Sequence, residues 1–468
     1  LAPGDGVTPS RARLVALIVA GAFFMEFLDG TVIATALPAM AVDFQEPVVA
    51  LSVGISAYLL TLAVFIPLSG WVADRFGTRD VFVAAILVFT GASMLCGLST
   101  GLWSFVAARV LQGIGGAMMV PVGRLTVLRT TEKTALVGAI ALLTWPALAA
   151  PVLGPPVGGF LTTYASWRWI FYLNVPLGLI AIGLSAALMP NLRSERVRPF
   201  DRPGFVLSGL SLALIMEGTE LISGSGPVWS GPAMLLAGGL IGLAAIRHGL
   251  RATHPMLDLS PMRVQTFAVT ATGGTIFRVT ISTIPFLLPL LFQIGFGLDA
   301  FHSGLLVLAT FLGNIGMKPM TTSVMRRWGF RDVAVVTGVL AALTLAACAW
   351  LYPSTPIAVI VVLLFAGGLA RSMQFTVLNT LSFVDIAPAA MSAASSLASV
   401  AMQMSIGLGV ALGAAVLHLV AARHGGPPVL ADFHLVFLLI AALMLTGLPP
   451  FLRLPRDAGA EVSGHRAT

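Results

Sequence analysis

The chain has 468 residues, and only 10% are charged: 26 Lys or Arg against 19 Asp or Glu. Soluble domains carry about 25% charge. With 57% hydrophobic residues and a mean hydropathy of +0.96, this chain lacks the polar surface to cover a soluble core. A soluble enzyme and a disordered chain are excluded. The apolar runs are too continuous for a barrel's alternating strands, which leaves an all-α polytopic membrane protein.

Spans are expected at 13–38, 48–71, 81–99, 102–125, 135–162, 168–190, 203–222, 231–248, 264–295, 301–325, 333–352, 355–379, 390–420 and 432–453. A spanning helix needs about 20 residues. Fourteen of them in 468 residues leave roughly 33 residues per helix and loop, and so no large domain outside the membrane. The chain starts with Leu rather than Met, as if its true start were missing. The first span is too long for a removable signal peptide and carries Glu26 and Asp29 inside its apolar run. The two cysteines, Cys96 and Cys348, fall in apolar runs and read as small core residues rather than a disulfide or metal pair. The net charge of +7 comes with no basic patch interleaved with aromatics, so no nucleic acid partner is expected.

Sorting the basic residues gives the expected topology. With both termini cytoplasmic, the inner loops and tails hold 20 of the 26. The outer loops hold Arg168 and Arg423, and Arg109, Arg278, Lys318 and Arg371 remain in the membrane. An internal repeat appears at an offset of 252 residues. Asp74-Arg75-Phe76-Gly77-Thr78-Arg79-Asp80-Val81 aligns with Arg326-Arg327-Trp328-Gly329-Phe330-Arg331-Asp332-Val333. Duplicated halves are a common transporter build. The chain therefore reads as an N-terminal tail (1–12), a six-helix bundle (13–190), basic loops with two linker helices (191–262), a second bundle (263–453) and a C-terminal tail (454–468).

Four motifs carry chemistry. Gly70-Trp71-Val72-Ala73-Asp74-Arg75-Phe76-Gly77-Thr78-Arg79 follows the second span. There Gly70 suits close helix contact, Gly77 a tight turn, and Asp74 a pair with a loop arginine or a helix N-terminus. The fourth span holds Arg109-Val110-Leu111-Gln112-Gly113-Ile114-Gly115-Gly116, and the first holds Phe27-Leu28-Asp29-Gly30-Thr31-Val32-Ile33-Ala34-Thr35-Ala36-Leu37-Pro38. An arginine deep in an apolar helix needs a polar cavity or an acidic partner. At 1.5 Å per residue, Asp29 lies about 14 Å from the outer end of its span and Arg109 about 10 Å from the same face, so the two can meet. Glu26 sits three residues before Asp29, on nearly the same helix face. Burial and a neighbouring guanidinium act in opposite senses on a carboxyl's proton affinity, which suits proton exchange; a purely structural ion pair fits the same residues. The fifth span carries Pro151-Val152-Leu153-Gly154-Pro155-Pro156-Val157-Gly158-Gly159, a kinked and tightly packing pattern.

Together these runs resemble the major facilitator superfamily, in its fourteen-helix drug:proton antiporter branch. The pattern G-x-x-x-D-R-x-G-R-R is matched at 70–79, R-x-x-Q-G-x-G-A at 109–116, L-D-x-T-I-V-N-x-A-L-P at 28–38, and G-x-x-x-G-P-x-x-G-G at 150–159. Departures are Thr78 for a basic residue, Gly116 for Ala, Ala34 for Asn and Ala150 for Gly. The resemblance implies a proton-coupled exporter of small molecules in the bacterial inner membrane, with no cofactor or metal and no obligate protein partner. Asp29, Glu26 and Arg109 would couple protons. Gly70, Asp74, Arg75, Gly77 and Arg79, with Arg327, Gly329 and Arg331 in the second copy, would form a cytoplasmic gate. Gly154, Pro155, Gly158 and Gly159 would be the antiporter motif.

The C-terminal half differs: Arg278, Lys318 and Arg371 are all basic, with no acidic residue expected inside those helices. Facing a cavity, they would attract an organic anion or metal chelate. Lys318 could instead snorkel to the surface, and Arg278 could pair with Glu217 on a linker helix. Gln112, Gln293, Asn314, Gln374 and Asn379 are further cavity candidates. Gly409 and Gly413 make a close-packing pair. A non-transporting membrane sensor on the same scaffold would need neither titratable pairs nor a gate motif.

Overall fold

The structure is a computed structural model, which describes residues 9–131, 136–193, 199–223, 229–253, 255–256, 258–387 and 390–459. Of the basic residues assigned to inner loops, Lys133, Arg196, Arg198 and Arg466 lie outside the described residues. The described residues form helices and no strand. In chain order the long helices are α1 (Pro9–Val32), α2 (Ser52–Phe76), α3 (Thr78–Leu98), α4 (Leu102–Thr130), α5 (Leu136–Tyr164), α6 (Asn174–Leu188), α7 (Arg202–Ser223), α8 (Ser230–Gly249), α9 (Gln265–Ile281), α10 (Ala300–Gly316), α11 (Thr321–Ala347), α12 (Ile357–Leu381), α13 (Met391–Ala421) and α14 (Leu430–Leu445).

Among the described residues, twelve segments are long and apolar enough to cross a membrane, against fourteen expected. The two expected spans outside that set are α5 and α7, which form helices of 29 and 22 residues. With this many apolar helices the chain is a multi-pass membrane protein.

The chain divides into two compact units, 1–202 and 203–468. In the first, the apolar faces of α1 to α6 meet around Phe23, Phe82, Phe89, Phe105 and Phe171, all fully buried. The second is built around Phe267, Phe277, Phe286, Phe292, Phe330 and Phe433. It also includes α7 and α8, the expected linker helices.

The two repeat copies share a backbone feature. Gly77 separates α2 from α3 with φ +99°, and Gly329 breaks α11 with φ +74° and ψ 168°. Only glycine adopts such values without strain, so the turn in each half depends on that residue. The run expected as one span at 264–295 is one candidate span, Gln265–Gly295, with irregular helix geometry inside it: α9 ends at Ile281, a short helix covers Ile284–Leu290, and Leu291–Gly295 is π-helical. Pro285 and Pro289, which cannot donate backbone N–H groups, sit in that irregular stretch. The Gly409 pair packs within the chain, because a side chain at Gly409 would collide with the Val279 carbonyl and Ser282.

Candidate functional site

In the first unit, α1, α3, α4 and α6 each send a polar side chain to one buried point. Arg109 Nη1 donates to Asp29 Oδ2 at 2.7 Å and to Gln112 Oε1 at 2.6 Å. Gln112 Nε2 donates to Asp29 Oδ1 at 2.9 Å and to Ser93 Oγ at 2.6 Å. Asn174 Nδ2 donates to Asp29 Oδ1 at 2.8 Å and to Ser93 Oγ at 3.1 Å. α2 adds Tyr58, whose ring lies 4.1 Å from the Arg109 guanidinium carbon. Arg109, Asp29, Gln112, Ser93 and Asn174 are all 1% exposed or less.

The Asp29 carboxylate thus accepts from three donors on two other helices. Charge-assisted bonds of this kind are short and strong, and the charged pair needs them to persist inside an apolar bundle. Arg109 Nη2 is buried without a partner. Glu26 is also buried, and its Oε2 has no partner. Its carboxyl carbon lies 3.6 Å from the position a Cβ on Gly116 would take. Depth counting on the sequence therefore places Asp29 beside Arg109 correctly. Gln112, expected among the cavity residues, is bonded into this network. Ser93, Asn174 and Tyr58 were not singled out. Asn174 lies two residues after the aromatic stretch Trp167–Tyr172, the one feature of the sequence near it.

The small residues of the motifs explain how the helices come close enough. A Cβ on Gly113 would sit 2.8 Å from the Tyr58 carbonyl, and one on Gly115 2.8 Å from the Ala85 carbonyl. α4 is therefore pressed against α2 and α3. On α5, a Cβ at Gly154 would collide with Thr31 Oγ1, and one at Gly158 would lie 2.5 Å from the Val32 carbonyl. Pro155 and Gly159 are buried in the same stretch. The fifth-span motif thus packs on α1 one turn beyond Asp29.

The basic turn after α2 forms a second cluster. Asp74 pairs with Arg129, in the last turn of α4, at 3.0 Å. Arg79 pairs with Asp80 at 3.1 Å, and Arg75 lies 5.5 Å over the Trp71 ring. The segment after α6 straps this turn: Thr78 N donates to the Leu192 carbonyl at 3.0 Å, and Asn191 Nδ2 donates to Asp80 Oδ2 at 2.7 Å. Asn191 Oδ1 accepts from Arg79 N. Within the first unit, no described residue lies within 4 Å of where a Cβ on Gly70 would be. In the second copy Arg327 lies 5.8 Å over Trp328, and Arg331 Nε has no partner.

At the opposite end of the first unit, Asp43 Oδ2 accepts from Trp167 Nε1 at 2.8 Å and from the Arg168 guanidinium. The Arg168 bond, then the Trp167 bond, hold the Asp43 carboxyl below its usual range.

The second unit scatters the remaining candidates. Arg278 is buried, donates to the Thr270 carbonyl at 3.2 Å, and has no carboxylate within 4.0 Å among the described residues. Glu217 is exposed, so the two do not pair. Arg371 is half-buried over Phe375 at 5.6 Å. Gln374 is buried and accepts from Thr337 at 2.7 Å. Lys318 is exposed at the break after α10 and donates to Thr376 Oγ1 at 3.2 Å. Asn314, half-buried, accepts through its carbonyl from Ser372. Asn379 is exposed, and Gln293 is half-buried in the π-helical segment.

Two helical units with the same glycine turn in each fit the duplicated build of many membrane transporters. The model of the Major Facilitator Superfamily matches residues 19–409 and again 273–467, and the chain belongs to that family. It is accordingly a secondary transporter and not an enzyme. Among curated relatives, "Putative multidrug resistance protein MdtD" of Pectobacterium carotovorum is 37% identical over 448 residues, covering 94% of this chain and 95% of that protein. The protein of the same name from Salmonella typhimurium is 36% identical over 462 residues, covering 96% of each. Among solved structures, an auto-inhibited POT family peptide transporter superposes with a TM-score of 0.70 at 16% identity, covering 98% of each chain. The nucleoside transporter NupG gives 0.59 at 15% identity, covering 94% of this chain and 98% of that one. At these identities the structural likeness concerns the fold alone.

Proposed function

We propose that the protein is a proton-driven exporter of small molecules, of the multidrug type its relatives are named for. It would work by alternating access in a bacterial inner membrane, with fourteen spans and both termini cytoplasmic. The observation that carries this reading is the buried Asp29–Arg109 pair with three donors on one carboxylate. Protonation of Asp29 cancels the pair's attraction and frees α1 from α4 and α6. Deprotonation restores it, so proton occupancy and helix position are linked. Glu26, one turn away with an unpartnered oxygen, is the second proton or substrate site. The turn at 70–79, strapped by Asn191, is the cytoplasmic gate, with Arg327, Gly329 and Arg331 in the second copy. The Gly154–Gly159 stretch holds α5 on α1.

A second reading, export of organic anions or metal chelates, is favoured by Arg278 and Arg371, which have no carboxylate partner among the described residues. Counterflow in proteoliposomes over a panel of lipophilic cations and organic anions separates the two. Proton flux evoked by cations supports the first reading, and flux evoked by anions alone replaces it with the second.

A further inference from the structure

Within the second unit a cavity of about 490 Å³ opens beside Arg278. Such a volume lies within the range of small-molecule sites. Its walls come from the end of α8 (Ile246, Leu250), the start of α9 (Phe267, Thr270, Ala271) and the first half of α13 (Leu397, Ala398, Ala401). Two cations line it. Arg263 is exposed, just before α9. Arg278 is only 4% exposed, and its Nε has no partner. The Arg278 side chain runs back along α9 to the Thr270 carbonyl, eight residues earlier. Its head lies on the inner side of that carbonyl, with Nη1 3.6 Å from where a Cβ on Gly274 would sit. Ser382 Oγ, bonded to Thr270 Oγ1 at 3.0 Å, supplies a further polar group on the wall.

A buried guanidinium in an apolar crevice is costly unless an anion reaches it. The wall at α8 identifies where that anion comes from. Only 11% of the α8 membrane window is buried, against 72% for the span that begins with α9. Ile246 and Leu250 are 47% and 65% exposed. The crevice therefore borders the lipid phase, with Arg247 and Arg251 at the same end of α8. We propose that it is a binding site for an anionic phospholipid: the phosphate meets Arg278 and Arg263, and an acyl chain lies along Leu397, Ala398 and Ala401. This site is separate from the Asp29 network and does not rest on the transport reading.

The test uses the full chain in nanodiscs of phosphatidylcholine with increasing phosphatidylglycerol, with retained lipid read by native mass spectrometry after mild extraction. Wild type should keep one phosphatidylglycerol. Arg278→Gln should lower that retention about fivefold, the ratio expected for one basic residue at an anionic lipid, and Arg278→Lys should restore part of it. Ala398→Trp, which fills the crevice and leaves the charges, should lower retention as well. Melting in pure phosphatidylcholine checks that each variant is folded. Equal retention by wild type and both folded variants, Arg278→Gln and Ala398→Trp, would overturn the proposal. So would displacement of the lipid by inorganic phosphate or glycerol phosphate alone, which marks a site for soluble anions.

Discussion

Breaking the Asp29–Arg109 pair from one side should cost far more than removing both charges together. Both side chains are 0% exposed, and the pair is 2.7 Å apart. Removing one partner of a buried pair costs about 3–5 kcal/mol, because the other charge is left uncompensated. In Asp29→Asn the new amide must turn its NH2 toward either Arg109 Nη1 or the amides of Gln112 and Asn174, all donors. Turned toward Arg109, it leaves Gln112 Oε1 as the one side-chain acceptor for the guanidinium among the described residues; turned the other way, it sets donor against donor at Gln112 and Asn174. Arg109→Gln leaves the carboxylate with two neutral donors. Independent effects would sum to about 6–10 kcal/mol in the double variant. The account instead expects a double variant that costs little more than either single one, a coupling of several kcal/mol. Chemical unfolding of the four proteins in one detergent, followed by circular dichroism, measures this cycle. Additivity within about 0.5 kcal/mol would refute the claim that the two residues act as a unit.

Two further outcomes follow from the packing and the surface charges. Gly158→Val should push α5 off α1, because even a Cβ there would lie 2.5 Å from the Val32 carbonyl. Overpacking typically costs about 1–3 kcal/mol, and transport should fall with the melting temperature, whereas Gly183→Val, with open space around it, should leave both unchanged. The Asp43 clasp should depend on pH in one direction. Its lowered carboxyl contributes stability above the ordinary value of 3.8, and that contribution is lost as pH falls through the lowered folded value. Trp167 emission should therefore hold steady from pH 7 to the usual carboxylate range and change only below it, and Asp43→Asn should abolish the step.

Much of this arrangement is written in local sequence, and the rest is not. Asp29 and Arg109 are legible because a charge in an apolar run is rare and its depth can be counted. The turns at Gly77 and Gly329 are legible because the repeat places a glycine at the same step in each half. Ser93 and Asn174 escape notice because serine and asparagine are ordinary in helices; only the packing of α3 and α6 beside α1 makes them ligands of Asp29. The same holds for Asp74. A loop arginine was expected as its partner, but that it is Arg129 depends on where α4 ends. Lys318 reads as a membrane charge, and it lies near the end of a span that runs to Met320; the sequence does not show that α10 stops at Gly316 just before it and leaves its side chain exposed.

The central claim is that Asp29 carries the coupled proton. The most direct measurement is substrate-evoked proton movement in proteoliposomes containing a pH-sensitive dye, comparing wild type with Asp29→Asn at matched protein content. Wild type should move protons when a transported compound is added to one side. Asp29→Asn should still bind that compound and move no protons. Proton movement of wild-type size in the folded Asp29→Asn protein would contradict the account.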